Sequence, residues 1–495
     1  MKLSYIASAC GLETVGDFAD IDIKGVTSDS RNVKQGDIFI CINGTVSDGH
    51  KYIPDAAKAG ASAFVICDKE AFYEYRTALP RKAIFLYAPD CRKTLARVSS
   101  YFYGDPAKKL RIIGITGTKG KTSTSFMIRD ILKGSGINVG LIGTTGAYYN
   151  DKKIELDNST PESLELNKIF AEMVKAGVTH VVMEVSSQGI MMDRVYGIEF
   201  ETAVFTNLSP DHIGENEHKD FEEYKSTKGE LFRRCKNAVI SADSEHSDFF
   251  ADIARESGAN VVTYSATGNT ADLYAANPKF IIDEGLETTY DLCGSIPVKV
   301  STPGQFTVSN SLAAIAACET VGIDKAACVG ALAHVSVIGR TEPVKHPKCD
   351  FAVLIDYAHN ALSLESLFNA VRAYSPKRII CLFGCGGNRS KLRRYEMGEI
   401  SGKYADISII TSDNPRFEEP DDIIADILIG MNKTNGEYVV ISDRVKAIHY
   451  ALSIAKKGDI VLLVGKGNEM YQEIKGKKYH MDEREIVKDY FDSLN

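Results

Sequence analysis

Residues 111–123, RIIGITGTKGKTS, join an apolar β-branched run to a glycine-bracketed loop that ends in Gly120, Lys121 and Thr122, where a helical pattern begins. A strand, loop and helix in this order read as a phosphate cradle. Backbone N–H groups of Gly117, Thr118, Lys119, Gly120 and Ser123 point inward, Lys121 reaches the terminal phosphates, and the Thr122 hydroxyl is offered to Mg2+. The general pattern GxxxxGK[ST] would need a glycine at 115, but Ile115 stands there, so the loop is the shorter GTKGKT.

Around this junction the chain alternates short apolar runs with segments long enough for crossover helices, the mark of an α/β fold with mainly parallel sheets. Three domains are expected. A smaller N-terminal α/β domain covers 1–107, with strands near 37–42 and 63–67 and a helix near 54–59. The Gly, Asp and Pro of YGDPAK (103–108) mark the first seam. A central P-loop domain covers 108–336, with strands near 137–142, 180–185, 203–206 and 238–240. A C-terminal Rossmann-like domain covers 337–495, with strands near 351–355, 378–383, 407–411, 438–441 and 459–464. It has no GxGxxG fingerprint, so no nicotinamide cofactor is indicated.

Composition sets limits on function. The 495 residues are 44% apolar and 25% charged, with a formal charge of -8, which argues against a general nucleic-acid binder. Eleven cysteines include no CxxC pair; Cys381 and Cys385 have no second pair to complete a zinc site, and buried reduced thiols are expected. Early Glu13 and Asp17 do not suit a signal sequence, and no apolar run approaches a membrane span. A cytoplasmic monomer with no membrane partner is expected.

Polar residues collect where the strands end. Glu184 closes HVVMEV, Asp211 and His212 follow AVFTN, and Lys228 lies in EYKSTKGELF. A lone glutamate or histidine there is ordinarily a cap or a hydrogen-bonded structural group. Beside a phosphate loop, the carboxylate and imidazole suit Mg2+, whose oxygen shell usually includes substrate phosphates.

The ordered set of motifs resembles the Mur ligase family across essentially the whole chain, and within it the branch that adds the third residue of the peptidoglycan precursor. The first lobe carries VTSDSR (26–31) and DGH (48–50). The centre carries GTKGKTS, NSTPES (158–163), MEVSSQG (183–189), Arg194, NLSPDHIG (207–214) and YKSTKGELF (224–232). GRTE (339–342), DYAHN (356–360), FGCGGNR (383–389), SDNPR (412–416) and GKGNE (465–469) follow.

The resemblance implies an ATP-dependent ligase in which Lys121, Lys228 and His212 are catalytic. It implies two Mg2+ ions bound by Thr122, Glu184, His212 and Lys228, with Lys228 carried as a carbamate. Carbamylation turns a repelling ammonium into an anion that can ligate a metal. Asn310, Arg340, Asp356 and His359 are the expected ATP-side contacts. Ser30, His50, Asn158, Ser159, Thr160, Ser186 and Arg194 are expected on the substrate UDP-N-acetylmuramoyl-L-alanyl-D-glutamate. Arg389, Asp413, Asn414, Pro415, Arg416, Gly465 and Glu469 are expected on the incoming amino acid.

In the implied reaction a substrate carboxylate takes the γ-phosphoryl group, and an amine displaces phosphate from the acyl phosphate. DNPR accompanies meso-diaminopimelate in the family, and the chemistry agrees, because an arginine fork matches the far-end carboxylate that L-lysine lacks. The chain departs from the family pattern at Asn468 (for histidine), Met192 (for glutamine), FTVSN and NALSL. Two alternatives stand beside this expectation: the same reaction with L-lysine or another amino acid, and a non-catalytic nucleotide-dependent binding protein.

Overall fold

The central parallel strands of this chain are continuous apolar runs buried on both faces, so successive side chains feed two cores. In the computed structural model, which describes residues 1–44, 47–77, 79, 83–211, 213–214, 217–282, 286–335 and 337–494, two compact units form. One comprises Met1–Thr263 with Ala316–Ile323, the other Tyr264–Ile315 with Asp324–Asn495.

The first unit opens with a five-stranded sheet in the order Glu13–Val15, Ile84–Tyr87, Ala63–Ile66, Asp37–Ile40, Gly25–Thr27. The last four are parallel and the first antiparallel. Ile38, Ile40, Ala63 and Val65 feed one core. Phe39, Phe64 and Ile66 feed the other, on the opposite face.

The same unit holds the parallel strands Cys235–Ser241, Phe200–Phe205, Arg111–Thr116, His180–Glu184 and Val139–Gly143, side by side in that order. An antiparallel pair, Gly146–Tyr149 and Lys152–Ile154, extends the edge. The strand that feeds the phosphate loop is therefore central, and its carboxyl end opens between two neighbours whose own ends carry polar residues. Ligands of open α/β sheets bind at such places.

In the second unit, the parallel strands run Ala352–Asp356, Ile460–Val464, Ile379–Phe383, Ile407–Ile410, Tyr438–Val440, with the short antiparallel Glu342–Pro343 at one edge. An antiparallel meander of Leu273–Ile282, Leu286–Leu292 and Ile296–Val300 precedes them. Tyr374 ties the meander to this lobe: its hydroxyl bonds Thr288 Oγ1 (2.6 Å) and accepts from the Gly304 N–H (2.9 Å).

Among the described residues, no helix is long and apolar enough to cross a membrane. All eleven cysteines are free; seven are buried, but Cys67, Cys235, Cys293 and Cys349 are only partly so. The expectation of uniformly buried thiols is corrected at those four, which sit at strand ends and turns instead of in sheet interiors.

Candidate active site

The loop of the central strand closes around glycine. Gly117 and Gly120 hold φ of 145° and 87°, and a Cβ at 117 would lie 2.0 Å from Thr206 Oγ1, so only glycine fits there. The chain after Phe200–Phe205 clamps the loop from the side. Asn207 O accepts from Thr118 N–H (2.9 Å), Asn207 Oδ1 accepts from Lys119 N–H (2.9 Å), and Lys119 O accepts from Thr206 Oγ1 (2.7 Å). The short form of the loop has a structural reason, because Ile115 is still in the strand, fully buried and in register with Glu184 and Val204.

The helix Lys121–Gly134 starts at the end of this loop and points Thr122 at Glu184. Thr122 Oγ1 donates to Glu184 Oε1 (2.9 Å), as does Thr144 N–H (3.0 Å), while Thr144 Oγ1 donates to Oε2 (3.0 Å). Glu184 is 1% exposed, and these donors are all neutral. A buried carboxylate held only by neutral donors is costly until a cation joins it, so the donor set fits Mg2+. The described residues contain no group of three His, Cys, Asp or Glu that could hold a metal alone. Mg2+ in sites of this kind takes much of its shell from phosphate and water. His212 lies outside the described residues.

Two lysines converge on one carbonyl. Lys121 Nζ donates to Gly117 O (2.7 Å) and Thr118 O (2.9 Å), and Lys228 Nζ donates to the same Gly117 O (3.2 Å). Lys228, on the helix Phe221–Gly229, is 2% exposed with its Nζ 4.4 Å from the centre of the Tyr224 ring. Burial, reinforced by the charge of Lys121, pushes its amine well below the ordinary lysine range.

Next to Glu184, Thr160 is fully buried and its hydroxyl donates to Glu184 O (3.0 Å) and accepts from Ser186 N–H (3.0 Å). Arg194 reaches the same turn, donating to Thr160 O (3.0 Å) and pairing with Glu162 (2.8 Å). Asn158 is exposed and Ser159 half-buried. In the first lobe, Ser30 opens a single turn capped by Asp29, and His50 is buried against Asp48.

In the second unit, Asn310 is buried in the helix Gln305–Thr320. Asp356 accepts from the N–H groups of Thr341 and Ala358 (2.7 Å each), and burial raises its carboxyl. Arg340 lies over the Tyr357 ring at 5.1 Å, while His359 is exposed. The GRTE and GKGNE turns touch closely: a Cβ on Gly339 would lie 2.3 Å from Asn468 N, and one on Gly467 would lie 2.9 Å from Gly339 O.

Asp413, Asn414 and Pro415 are buried at the carboxyl edge of that sheet, and a Cβ on Gly465 would lie 2.6 Å from Asp413 Oδ2. Asn414 Nδ2 donates to Glu469 Oε2 (2.8 Å). Arg416, at φ 52°, donates to Gly387 O (2.7 Å) and pairs with Glu473 (3.3 Å). Arg389 is exposed.

Sequence reasoning passed over three residues that the geometry brings in. Lys466 is fully buried and donates to Asn414 Oδ1 (2.6 Å), Glu469 Oε2 (3.3 Å) and Tyr471 O (2.6 Å); its place inside GKGNE was the available signal. Asn207 clamps the loop from within NLSPDHIG. Thr144, which holds Glu184, carries no signal of its own.

This strand, loop and helix, with a buried carboxylate at Thr122 and a buried lysine on Gly117 O, have the form of a phosphate-loop site. Family models match in three segments: Mur ligase family, catalytic domain at 22–102; Mur ligase middle domain at 115–318; and Mur ligase, glutamate ligase domain at 339–467. The chain belongs to the Mur ligase family. It is 41% identical to the UDP-N-acetylmuramoyl-L-alanyl-D-glutamate--2,6-diaminopimelate ligase 1 of Clostridium acetobutylicum, over 100% of both chains. It is 44% identical to the corresponding ligase of Caldanaerobacter subterraneus subsp. tengcongensis, over 95% of each. A solved structure bearing that ligase name superposes with a TM-score of 0.73 at 29% identity, covering 100% of this chain and 99% of the other.

Proposed function

We propose that this chain joins meso-diaminopimelate to UDP-N-acetylmuramoyl-L-alanyl-D-glutamate, at the cost of ATP, as a cytoplasmic monomer. Its three working parts would be 1–107 for the UDP end, 108–336 for ATP and 337–495 for the amino acid. The observation that carries the reading is the convergence of Lys121, Lys228 and the Thr122–Glu184 pair on one phosphate loop.

In the reaction, an oxygen of the D-glutamyl carboxylate attacks the γ-phosphorus and the bond to ADP breaks. The amine nitrogen then attacks the acyl carbon, and the tetrahedral intermediate expels phosphate. No protein nucleophile is needed, so alignment and charge stabilisation carry the rate. Lys121 is the group on the loop that can follow the γ-phosphoryl charge. Thr122, Glu184, His212 and a carbamylated Lys228 would hold Mg2+, which offsets the negative charge shared by two anionic reactants. The depressed amine of Lys228 favours the carbamate, since only the neutral base attacks CO2.

For the amine, the buried Asn414, two residues before Arg416 in DNPR, and the buried Lys466 both bond to the partly exposed Glu469. A carboxylate at Glu469 and a guanidinium at Arg416, both linked to the DNPR turn, would suit a zwitterionic far end, which L-lysine lacks. The test is phosphate release with ATP, the UDP-linked dipeptide and, in turn, meso-diaminopimelate, L-lysine and L-ornithine. Release that needs the dipeptide and prefers meso-diaminopimelate is expected. Preference for lysine refutes the amine assignment, and release indifferent to both substrates refutes the ligase.

A further inference from the structure

The first-lobe sheet ends in a cluster that the ligase chemistry does not use. Cys41 follows the strand Asp37–Ile40, Cys67 follows Ala63–Ile66, and Cys91 opens the helix Cys91–Phe102. Cys67 Sγ lies 4.0 Å from Cys41 O, and Cys91 Sγ lies 3.9 Å from Val65 O. Cys41 and Cys91 are buried, whereas Cys67 is partly exposed.

An imidazole backed by a carboxylate faces this thiol. His50 Nδ1 is 2.6 Å from Asp48 Oδ1, which holds a proton on that nitrogen and leaves Nε2 as an acceptor. Nε2 accepts from Cys67 N–H (3.2 Å) and lies 3.8 Å from Cys67 Sγ. The order carboxylate, imidazole, thiol is that of an activated cysteine nucleophile.

The electrostatics agree. Against the opposing effect of burial, the neighbouring Cys91 thiol and the His50 ring draw the Cys67 thiol below its ordinary range. Burial alone would lower His50, but its bonds to Cys67 and Asp48 raise it instead. Among the described residues, the other partly exposed cysteines, Cys235, Cys293 and Cys349, give their S–H to main-chain oxygens and not to an imidazole. Cys235 and Cys349 are pushed up by burial and give their S–H to Phe232 O and Phe351 O.

We propose that Cys67 is a base-activated modification site that exchanges with low-molecular-weight disulfides, and that the adduct obstructs the first-lobe nucleotide site to which His50 is assigned. In the step, His50 Nε2 gives up its bond from the Cys67 N–H and takes the Cys67 thiol proton, and Sγ attacks one sulfur of RS–SR. A new Sγ–S bond forms as the old S–S bond breaks, and the leaving RS⁻ takes up the proton as RSH. Cys67 is oxidised and half of the disulfide is reduced, so no other oxidant enters. The obstruction rests on the ligase reading; the reactivity does not.

The experiment treats the full chain with oxidised glutathione and follows intact mass and peptide mapping. One adduct is expected at Cys67, reversed by dithiothreitol and absent in Cys67→Ser, which keeps its ligase rate. Asp48→Asn and His50→Gln should each slow labelling by about tenfold or more, as loss of a general base does. Modified wild type should need about tenfold more UDP-linked dipeptide for half-maximal rate. First labelling at Cys235, Cys293 or Cys349, or unchanged labelling rates in both base variants, overturns the thiol assignment. An adduct at Cys67 with unchanged dipeptide dependence overturns the obstruction. A failure of the functional reading would appear separately, in unmodified protein that does not use the dipeptide.

Discussion

Lys228 Nζ donates to Gly117 O at 3.2 Å, so the helix Phe221–Gly229 delivers a nearly solvent-free amine to the backbone of the phosphate loop. The burial that lowers this amine makes a prediction about stability. With the folded value depressed and the unfolded value near about 10.4, the unfolded chain binds more protons between the two. Stability of CO2-free protein should therefore rise with pH through that window. Urea unfolding at about pH 7 and about pH 9 checks it, and Lys228→Met should flatten the dependence. Parallel profiles for the two proteins would contradict the assignment.

Thr144 contributes two of the donors that hold Glu184, without being a ligand candidate itself. Partners that orient a metal ligand are worth about 10–100-fold in metal affinity. Thr144→Val, which keeps the backbone donor, should raise the Mg2+ concentration for half-maximal phosphate release toward the lower end of that range. Unchanged Mg2+ dependence would remove Glu184 from the metal site.

How legible this was depends on whether the signal is local. The parallel strands were readable because both faces are buried and the runs are continuously apolar: Ile379–Phe383 and Ile460–Val464 match the expected 378–383 and 459–464 within a residue. The meander at Leu273–Val300 was not anticipated. Its middle strand alternates buried and half-buried residues such as Thr288 and Asp291, and it is stabilised by partners distant in sequence, such as Tyr374. In the site, Gly117 and Thr122 announce themselves by spacing. Thr144 acts through a partner 40 residues away, which no local pattern reveals, and Lys466, though it sits inside GKGNE, also reaches Asn414 52 residues away.

Lys466 is the fully buried cation between Asp413 (3.4 Å) and Glu469 (3.3 Å). Lys466→Met leaves Asp413 and Glu469 without their shared cation. Because Glu469 is partly exposed and keeps its bond from Asn414, the loss should fall toward or below the low end of the about 3–5 kcal/mol for a buried pair. Denaturant unfolding should register that loss, and the KM for the amine should rise more than the KM for ATP. Equal effects on both would mean the residue serves the fold alone.

At Gly117, an added methyl meets Thr206 Oγ1 at 2.0 Å and a backbone φ of 145°. Gly117→Ala should cost about 1–3 kcal/mol from the backbone alone and displace the carbonyl that both lysines share. The expected result is loss of the rise in melting temperature on adding ADP with Mg2+, measured by calorimetry. A full ADP-dependent rise in the variant would mean that the loop does not hold phosphate.

Arg416 has its guanidinium fixed before any substrate arrives, by Gly387 O at 2.7 Å and Glu473 at 3.3 Å. Its backbone is held at φ 52° by Arg416 N–H to Glu473 O (3.0 Å) and Lys475 N–H to Arg416 O (2.6 Å). An arginine this constrained can present a fork of set direction, which a lysine cannot. With the substrate carboxylate buried against this guanidinium, truncating one side of the pair costs about 2–5 kcal/mol. Arg416→Ala should therefore lower kcat/KM for meso-diaminopimelate by that amount while leaving L-lysine use, however slow, nearly unchanged. Acyl-phosphate formation, followed without amine, should also survive. If both steps fall together, Arg416 holds the lobe together instead of reading the amino acid.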